Sequence, residues 1–204
     1  MKKMSALILA LALCAAPAFA EAAPHPSPEA AFAPTDSTIL VACFSATGNT
    51  WPLAEYAAEF LNADLFRIEP EIPYTEADLN YGDSASRANQ EMNDETSRPA
   101  LKATVENIEQ YDTILLGFPI WWGQAPRLIE TFVEAHDLSG KTILPFCTSG
   151  SSGYGQTGEI LAALTDETVT WLEGRRFPAS ATAEEIAAWL QEMAIEPYAP
   201  SEEE

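Results

Sequence analysis

The chain is short of the residues that most often carry out chemistry. Its 204 positions hold three cysteines, two histidines and only ten basic residues, against 31 acidic ones. Cys14 lies in an N-terminal leader, while Cys43 and Cys147 each sit inside an apolar run. That spacing assembles neither a zinc cluster nor a disulfide scaffold. The two inner cysteines are expected as small buried core residues. His25 and His136 are the only imidazoles, and no G-x-S-x-G occurs, which argues against a serine hydrolase. No catalytic residue and no metal ligand is assigned. The shortage of lysine and arginine sets the formal charge at −21. Nucleic acid and anionic membrane surfaces are therefore disfavoured as partners, and a basic protein is favoured.

Long apolar runs are also missing. Lys2-Lys3 precede a short stretch, Ala6 to Ala16, that is too short to span a bilayer and leads to Ala18-Phe19-Ala20. This reads as a secretory signal peptide over 1–20. Leu13 is too bulky for the residue before a lipoprotein cysteine at Cys14, which places cleavage after Ala20. Lys2-Lys3 is not a twin-arginine pair, so export of an unfolded chain, to the periplasm or beyond, is expected. Cleavage removes two lysines, takes the charge to about −23, and leaves no stable membrane insertion. Residues 21–37, with four prolines, read as a flexible linker. The domain follows over 38–196, and 197–204 is an acidic tail.

What is present centres on Ile39 to Thr50, ILVACFSATGNT. Ile39 to Phe44 is continuously apolar, as in a strand buried on both faces of a parallel sheet. Ser45-Ala46-Thr47-Gly48-Asn49-Thr50 follows, and Trp51 to Ala63 has helical spacing. A strand, a turn of small polar residues and a helix start aim free N–H groups and a dipole at one spot, which suits a phosphate. An ordinary turn with Ser, Asn or Thr as helix cap is the alternative. No G-x-x-x-x-G-K-[ST] is present, since no Lys follows Gly48, and no G-x-G-x-x-G occurs at this loop. A loop with hydroxyls and no charge suits a phosphate monoester held by neutral donors, although Pro52 removes one N–H from the helix start.

Further along, strands are expected over 64–69, 111–118, 142–147 and 168–172. Helices are expected over 84–93, 99–110, 126–133, 159–164 and 182–195, the last with Thr182 and Glu185 spaced as a capping box. Residues 71–98 form an unusually long connection, a common place for function. Alternating strands and helices imply a parallel sheet covered on both sides, with ligands beyond the carboxyl ends of the strands. Three segments would meet there: Ser45 to Thr50, then Pro119-Ile120-Trp121-Trp122-Gly123, then Thr148-Ser149-Gly150 through Gly153-Tyr154-Gly155. A phosphate site, an aromatic wall and a small-residue loop suit a planar cofactor bearing one phosphate. Adjacent tryptophans in an extended segment cannot both face one core, so at least one of the pair is expected to be exposed at the site.

The S-x-T-G-N-T and P-[IV]-W-W-G-x-A-P segments, at 45–50 and 119–126, resemble those of the flavodoxin family. The resemblance spans roughly 39–195, with Ser149-Gly150 and Gly153-Tyr154-Gly155 as a third match. It implies an α/β three-layer sandwich, with a five-stranded parallel sheet in order 2-1-3-4-5 and helices on both faces. It also implies non-covalent flavin mononucleotide (FMN). Ser45 to Thr50 would take the phosphate, Pro119 to Gly123 would border the ring, and Ser149 to Gly155 would close its other side. Secretion is atypical of that family and leaves the partner open.

The expected function is an FMN-binding electron-transfer protein outside the cytoplasm, docking a basic redox partner. A quinone- or NAD(P)H-type FMN reductase is one alternative, and a flavin-free binding domain on the same fold is another.

Overall fold

The computed structural model describes residues 38–198. The expected signal peptide, the whole of the expected linker and the end of the tail lie outside them. Strand β1 (Ile39–Cys43) is buried along its whole length. Helix α1 (Trp51–Leu61), strand β2 (Asp64–Arg67) and helix α2 (Arg87–Asn93) follow. Next come β3 (Thr113–Pro119), α3 (Arg127–Glu134), β4 (Thr142–Thr148) and α4 (Thr157–Ala162). The chain closes with β5 (Thr170–Trp171), β6 (Arg175–Phe177) and α5 (Ala183–Glu192). The sheet runs β2-β1-β3-β4-β5, parallel throughout, with β6 also paired to β4. This is the expected 2-1-3-4-5 order.

The continuous apolar runs are explained by two cores, one on each face of the sheet. Leu40, Ala42, Ile114, Leu116 and Phe118 pack with Leu128, Ile129 and Phe132 of α3. Ile39, Val41, Cys43, Leu115 and Leu144 pack with α1 and with Ile186, Trp189 and Leu190 of α5. Each fully buried side chain of this size contributes about 1.5–3 kcal/mol. Cys43 and Cys147 are buried free thiols, as expected. Helix α5 carries the Thr182–Glu185 capping box. The short helix expected over 84–93 begins only at Arg87, because the Ser86 hydroxyl accepts the Asn89 N–H and caps it there.

Two expectations fail. The helix over 99–110 does not form beyond a single 3-10 turn at Ile108–Gln110. Leu101 instead bridges Pro70, with the Lys102 N–H donating to the Glu69 carbonyl at 2.9 Å and the Glu71 N–H to the Ala100 carbonyl at 2.8 Å. Leu101, Val105 and Ile108 reach the core from this irregular chain. Tertiary pairing overrides a weak local preference.

The last strand, expected over 168–172, forms only as the short β5, and the sheet edge resumes beyond it as β6, which was not expected. Ile143 of β4 pairs with Trp171 and Phe146 with Arg175, so Leu172 to Gly174 oppose only Leu144 and Pro145. One extra residue is inserted on the edge strand, as in a bulge. The Ile143 carbonyl accepts the Leu172 N–H, whereas the Thr148 carbonyl faces β3 and accepts the Ile120 N–H. Alternation along β4 therefore turns Pro145 toward the edge strand, where it has no N–H to give. The break falls opposite the missing donor.

Candidate functional site

The carboxyl ends of β1, β3 and β4 lead into the three loops singled out in the sequence. In the first, the Ser45 hydroxyl accepts the N–H of Thr50 at 3.0 Å and of Trp51 at 3.2 Å, capping the start of α1. Thr50 is buried, and its hydroxyl is hydrogen-bonded to that of Thr148 at 2.8 Å, locking the loop to β4. Gly48 has φ +83°, which turns the loop back on itself. Among the described residues, the N–H groups of Ala46, Thr47, Gly48 and Asn49 donate to no protein acceptor. Thr47, Gly48 and Asn49 are exposed. Consecutive free amides at a helix start form a concavity for an anion.

The second loop separates its two tryptophans. Trp121 is buried, edge-on to Phe44 at 5.6 Å and to Tyr74 at 5.3 Å. Trp122 is 41% exposed. The Trp121 N–H donates to the Gln124 carbonyl at 2.9 Å, and the Gln124 N–H returns to Trp121 at 3.0 Å. The residues between, Trp122 and Gly123, have φ of 47° and 87°. A tight turn with two positive φ values suits glycine at the second position but is unfavourable for tryptophan at the first. Trp122 is held there with its ring stacked on Tyr81.

A cleft of about 510 Å3 lies between these loops, within the size range of cofactor sites. It brings together Thr47 and Asn49, Pro119, Ile120 and Trp121, and Thr148, Ser149 and Gly150. Others of the expected set lie elsewhere. Ser45 and Ala46 line a separate recess of about 120 Å3 with Arg67 and Tyr74. Trp122, Gly123, Gly153, Tyr154 and Gly155 are not in the cleft lining. At Gly155, φ +59°, an added Cβ would lie 3.3 Å from the Gly123 carbonyl, so the second and third loops run close together there. Tyr154 packs against Gly158 and Gly174, where any Cβ would collide with its ring. Its hydroxyl is buried without a partner among the described residues, and burial pushes its pKa up.

The cleft also takes in residues that sequence reading missed: Leu79, Tyr81, Arg176, Pro178 and Ala179. The first two come from 71–98, whose length was the only signal. That segment is fastened down. The Arg87 guanidinium donates to the Ile72 carbonyl at 2.6 Å and pairs with Glu91, which also accepts the Tyr74 hydroxyl. Arg98 pairs with Glu134 at 2.7 Å and with buried Glu130 at 2.8 Å, and Glu130 pairs with buried Arg127. Arg127 in turn donates to the Met92 carbonyl at the end of α2. Cations also approach a site expected to use neutral donors alone: Arg67 stacks on Trp51 at 3.5 Å beside the first loop, and Arg176 lines the cleft.

Neither cysteine is poised as a nucleophile, since burial pushes the Cys43 thiol up and the Cys147 thiol to about 12. Among the described residues no cluster of histidine, cysteine or carboxylates could hold a metal ion. Nor is any helix among them long and apolar enough to cross a membrane.

Comparison with known proteins places the chain. Residues 38–193 match the family model described as flavodoxin. A candidate flavoprotein from Bacteroides eggerthii is 45% identical, with a TM-score of 0.72, over 78% of this chain and 98% of that one. Another, from Bacteroides uniformis, is 43% identical, with a TM-score of 0.71, over 75% and 97%. A flavoprotein from Lactobacillus acidophilus, solved in complex with FMN, shares the fold at 19% identity and a TM-score of 0.56, over 68% and 91%. No curated protein matches the chain. The chain belongs to the flavodoxin family.

Proposed function

We propose that this flavodoxin-family chain binds FMN in the cleft at the carboxyl ends of β1, β3 and β4 and carries electrons outside the cytoplasm. The observation that carries the reading is the row of free amides at Ala46 to Asn49, opening beside a cleft walled by Trp121 and Ser149-Gly150. These groups fit the cofactor chemically. Amide donors and the α1 dipole suit a phosphate, and a Cβ at Gly48, Gly123 or Gly150 would meet nothing within 4 Å, so those backbones are open to approach. Bound FMN supplies the reversible electron transfer.

The chain's own residues would bind and orient it. The Ala46 to Asn49 amides and the Thr47 hydroxyl would hold the phosphate. Trp121 and Ile120 would border the ring on one side, with Thr148 to Gly150 opposite. The Thr50 hydroxyl, already bonded to Thr148, would shape the loop rather than touch the ligand. The Tyr81–Trp122 stack stands at the edge of the cleft, which Tyr81 lines, and would crowd a second planar molecule approaching from that edge. That supports a carrier over a quinone- or NAD(P)H-type reductase.

Titration of purified protein with FMN, followed by quenching of tryptophan and flavin emission, tests the site. Thr47→Val should weaken FMN about tenfold or more while the domain stays folded, since a hydrogen bond to a charged group contributes about 1.5–3 kcal/mol. Unaltered emission on mixing would sink the binding reading. Export is tested by fractionation: the main species should lie outside the cytoplasm and begin at Glu21. A full-length, flavin-loaded cytoplasmic form would refute the location. The acidic surface should draw a basic redox partner, with binding that fades as salt rises.

A further inference from the structure

We infer that Arg176 is the cation that answers the negative charge gained by the flavin ring on reduction, and so sets the potential of the site; this rests on the FMN reading above.

In a chain with 31 acidic residues, an arginine without a carboxylate partner is unusual. Arg87, Arg98, Lys102, Arg127 and Arg175 all form ion pairs. Lys141 is buried on the Tyr111 carbonyl, and Arg67 lies over the Trp51 ring. Arg176 pairs with no carboxylate among the described residues, and it is the cation lining the 510 Å3 cleft. Its guanidinium carries five N–H donors. One hydrogen bond fixes it, to the Ser149 carbonyl at 2.8 Å, and the side chain remains exposed.

The edge-strand bulge is what turns it there. In β5 and just after it, Trp171 packs against the α3-side core and Leu172 against the α1/α5-side core, so even numbers face α5. In β6 the parity is reversed: Phe177 packs in the α1/α5-side core and Arg175 pairs with Glu192 of α5. One inserted residue flips every side chain beyond it to the other face. Arg176 is thereby turned away from α5, toward the cleft and the third loop. Its field reaches the buried Cys147 thiol on β4.

Its anchor is the Ser149 carbonyl, within the Thr148 to Gly150 segment that would border the ring, whereas the free amides that suit the phosphate belong to the first loop. Arg176 thus serves the ring end of the cleft. A cation there favours the reduced cofactor, which carries more negative charge, over the oxidised one.

The test compares wild type, Arg176→Gln and Arg176→Lys by fluorescence titration with FMN and with riboflavin, and by spectroelectrochemical midpoint. Arg176→Gln should bind both oxidised flavins within about twofold of wild type. Its preference for the reduced form should fall about tenfold, lowering the two-electron midpoint by about 30 mV. Arg176→Lys should restore most of that shift. An unchanged midpoint would overturn the assignment. So would a loss for FMN that riboflavin does not share, which would move Arg176 to the phosphate. Equal weakening of both redox forms would reduce it to an anchor for the Ser149 loop. A wild-type chain that binds neither flavin would remove the FMN reading, and this assignment with it.

Discussion

Tyr81 and Trp122 stack at the edge of the cleft, with ring centroids 4.3 Å apart and planes 28° apart. The two come from unrelated parts of the chain, one from the long connection after β2 and the other from the turn after β3. Neither position is comfortable alone: Tyr81 is 56% exposed, and Trp122 has φ +47°. The contact joins the inserted segment to the loop that carries the cleft wall.

Tyr81→Ala should lose the stacking contribution of about 0.5–1.5 kcal/mol and shift tryptophan emission to the red as Trp122 is wetted. Trp122→Gly should cost less in a urea melt, because glycine relieves a left-handed backbone that costs a bulky residue about 1–2 kcal/mol. A larger loss for the glycine variant than for Tyr81→Ala would mean that the turn gains nothing from that relief.

The Thr50–Thr148 hydroxyl pair should show coupling. Thr50→Val leaves a buried hydroxyl at Thr148 without its partner, at a cost of about 1–3 kcal/mol, and Thr148→Val does the converse. The double variant should be more stable than the sum of the two predicts, since no orphan remains. Additive losses in a double-mutant cycle would show that the bond does not couple the first loop to β4.

Glu130 holds two arginines together. Removing it as Glu130→Ala leaves Arg127, itself buried, uncompensated, and should cost about 3–5 kcal/mol in urea unfolding. Because Arg127 and Arg98 tie the long connection to α3, limited proteolysis within 71–98 should also accelerate. Destabilisation without new cleavage there would confine the effect to α3.

His136 should make stability depend on pH. Its Nδ1 bonds the Phe132 carbonyl at 2.7 Å and its Nε2 accepts the Val105 N–H at 2.9 Å, an arrangement that holds the neutral ring. Burial lowers its pKa from the ordinary value of about 6.5. Between the lowered value and about 6.5 the unfolded chain binds the extra proton, so this contribution is complete above about pH 6.5 and declines as the pH falls below it. Urea midpoints from pH 7.5 to 5 should drop more steeply for wild type than for His136→Gln. Parallel slopes would show that other groups govern acid sensitivity.

The sequence by itself determined the frame of this protein. The apolar runs at 39–44, 111–118 and 142–147 could only be buried on both faces, and that requires a parallel sheet under helices. Their bounding loops located the cleft, and Thr182 with Glu185 announced the start of α5. It also required the two tryptophans to part, without saying which would turn inward. The tertiary structure decided that: Phe44 and Tyr74 close around Trp121, while Trp122 is carried out on a turn with two positive φ values. Long-range pairing likewise unmade the helix expected over 99–110. The use of 71–98 as a cleft wall depends on ion pairs to α3 that no local pattern encodes. Arg176 shows the reason most directly. Its face follows from one extra residue opposite Pro145, and side-chain direction in a strand has period two, so it depends on register against a neighbouring strand. Periodicity within a segment is local information, whereas register is a property of the assembled sheet.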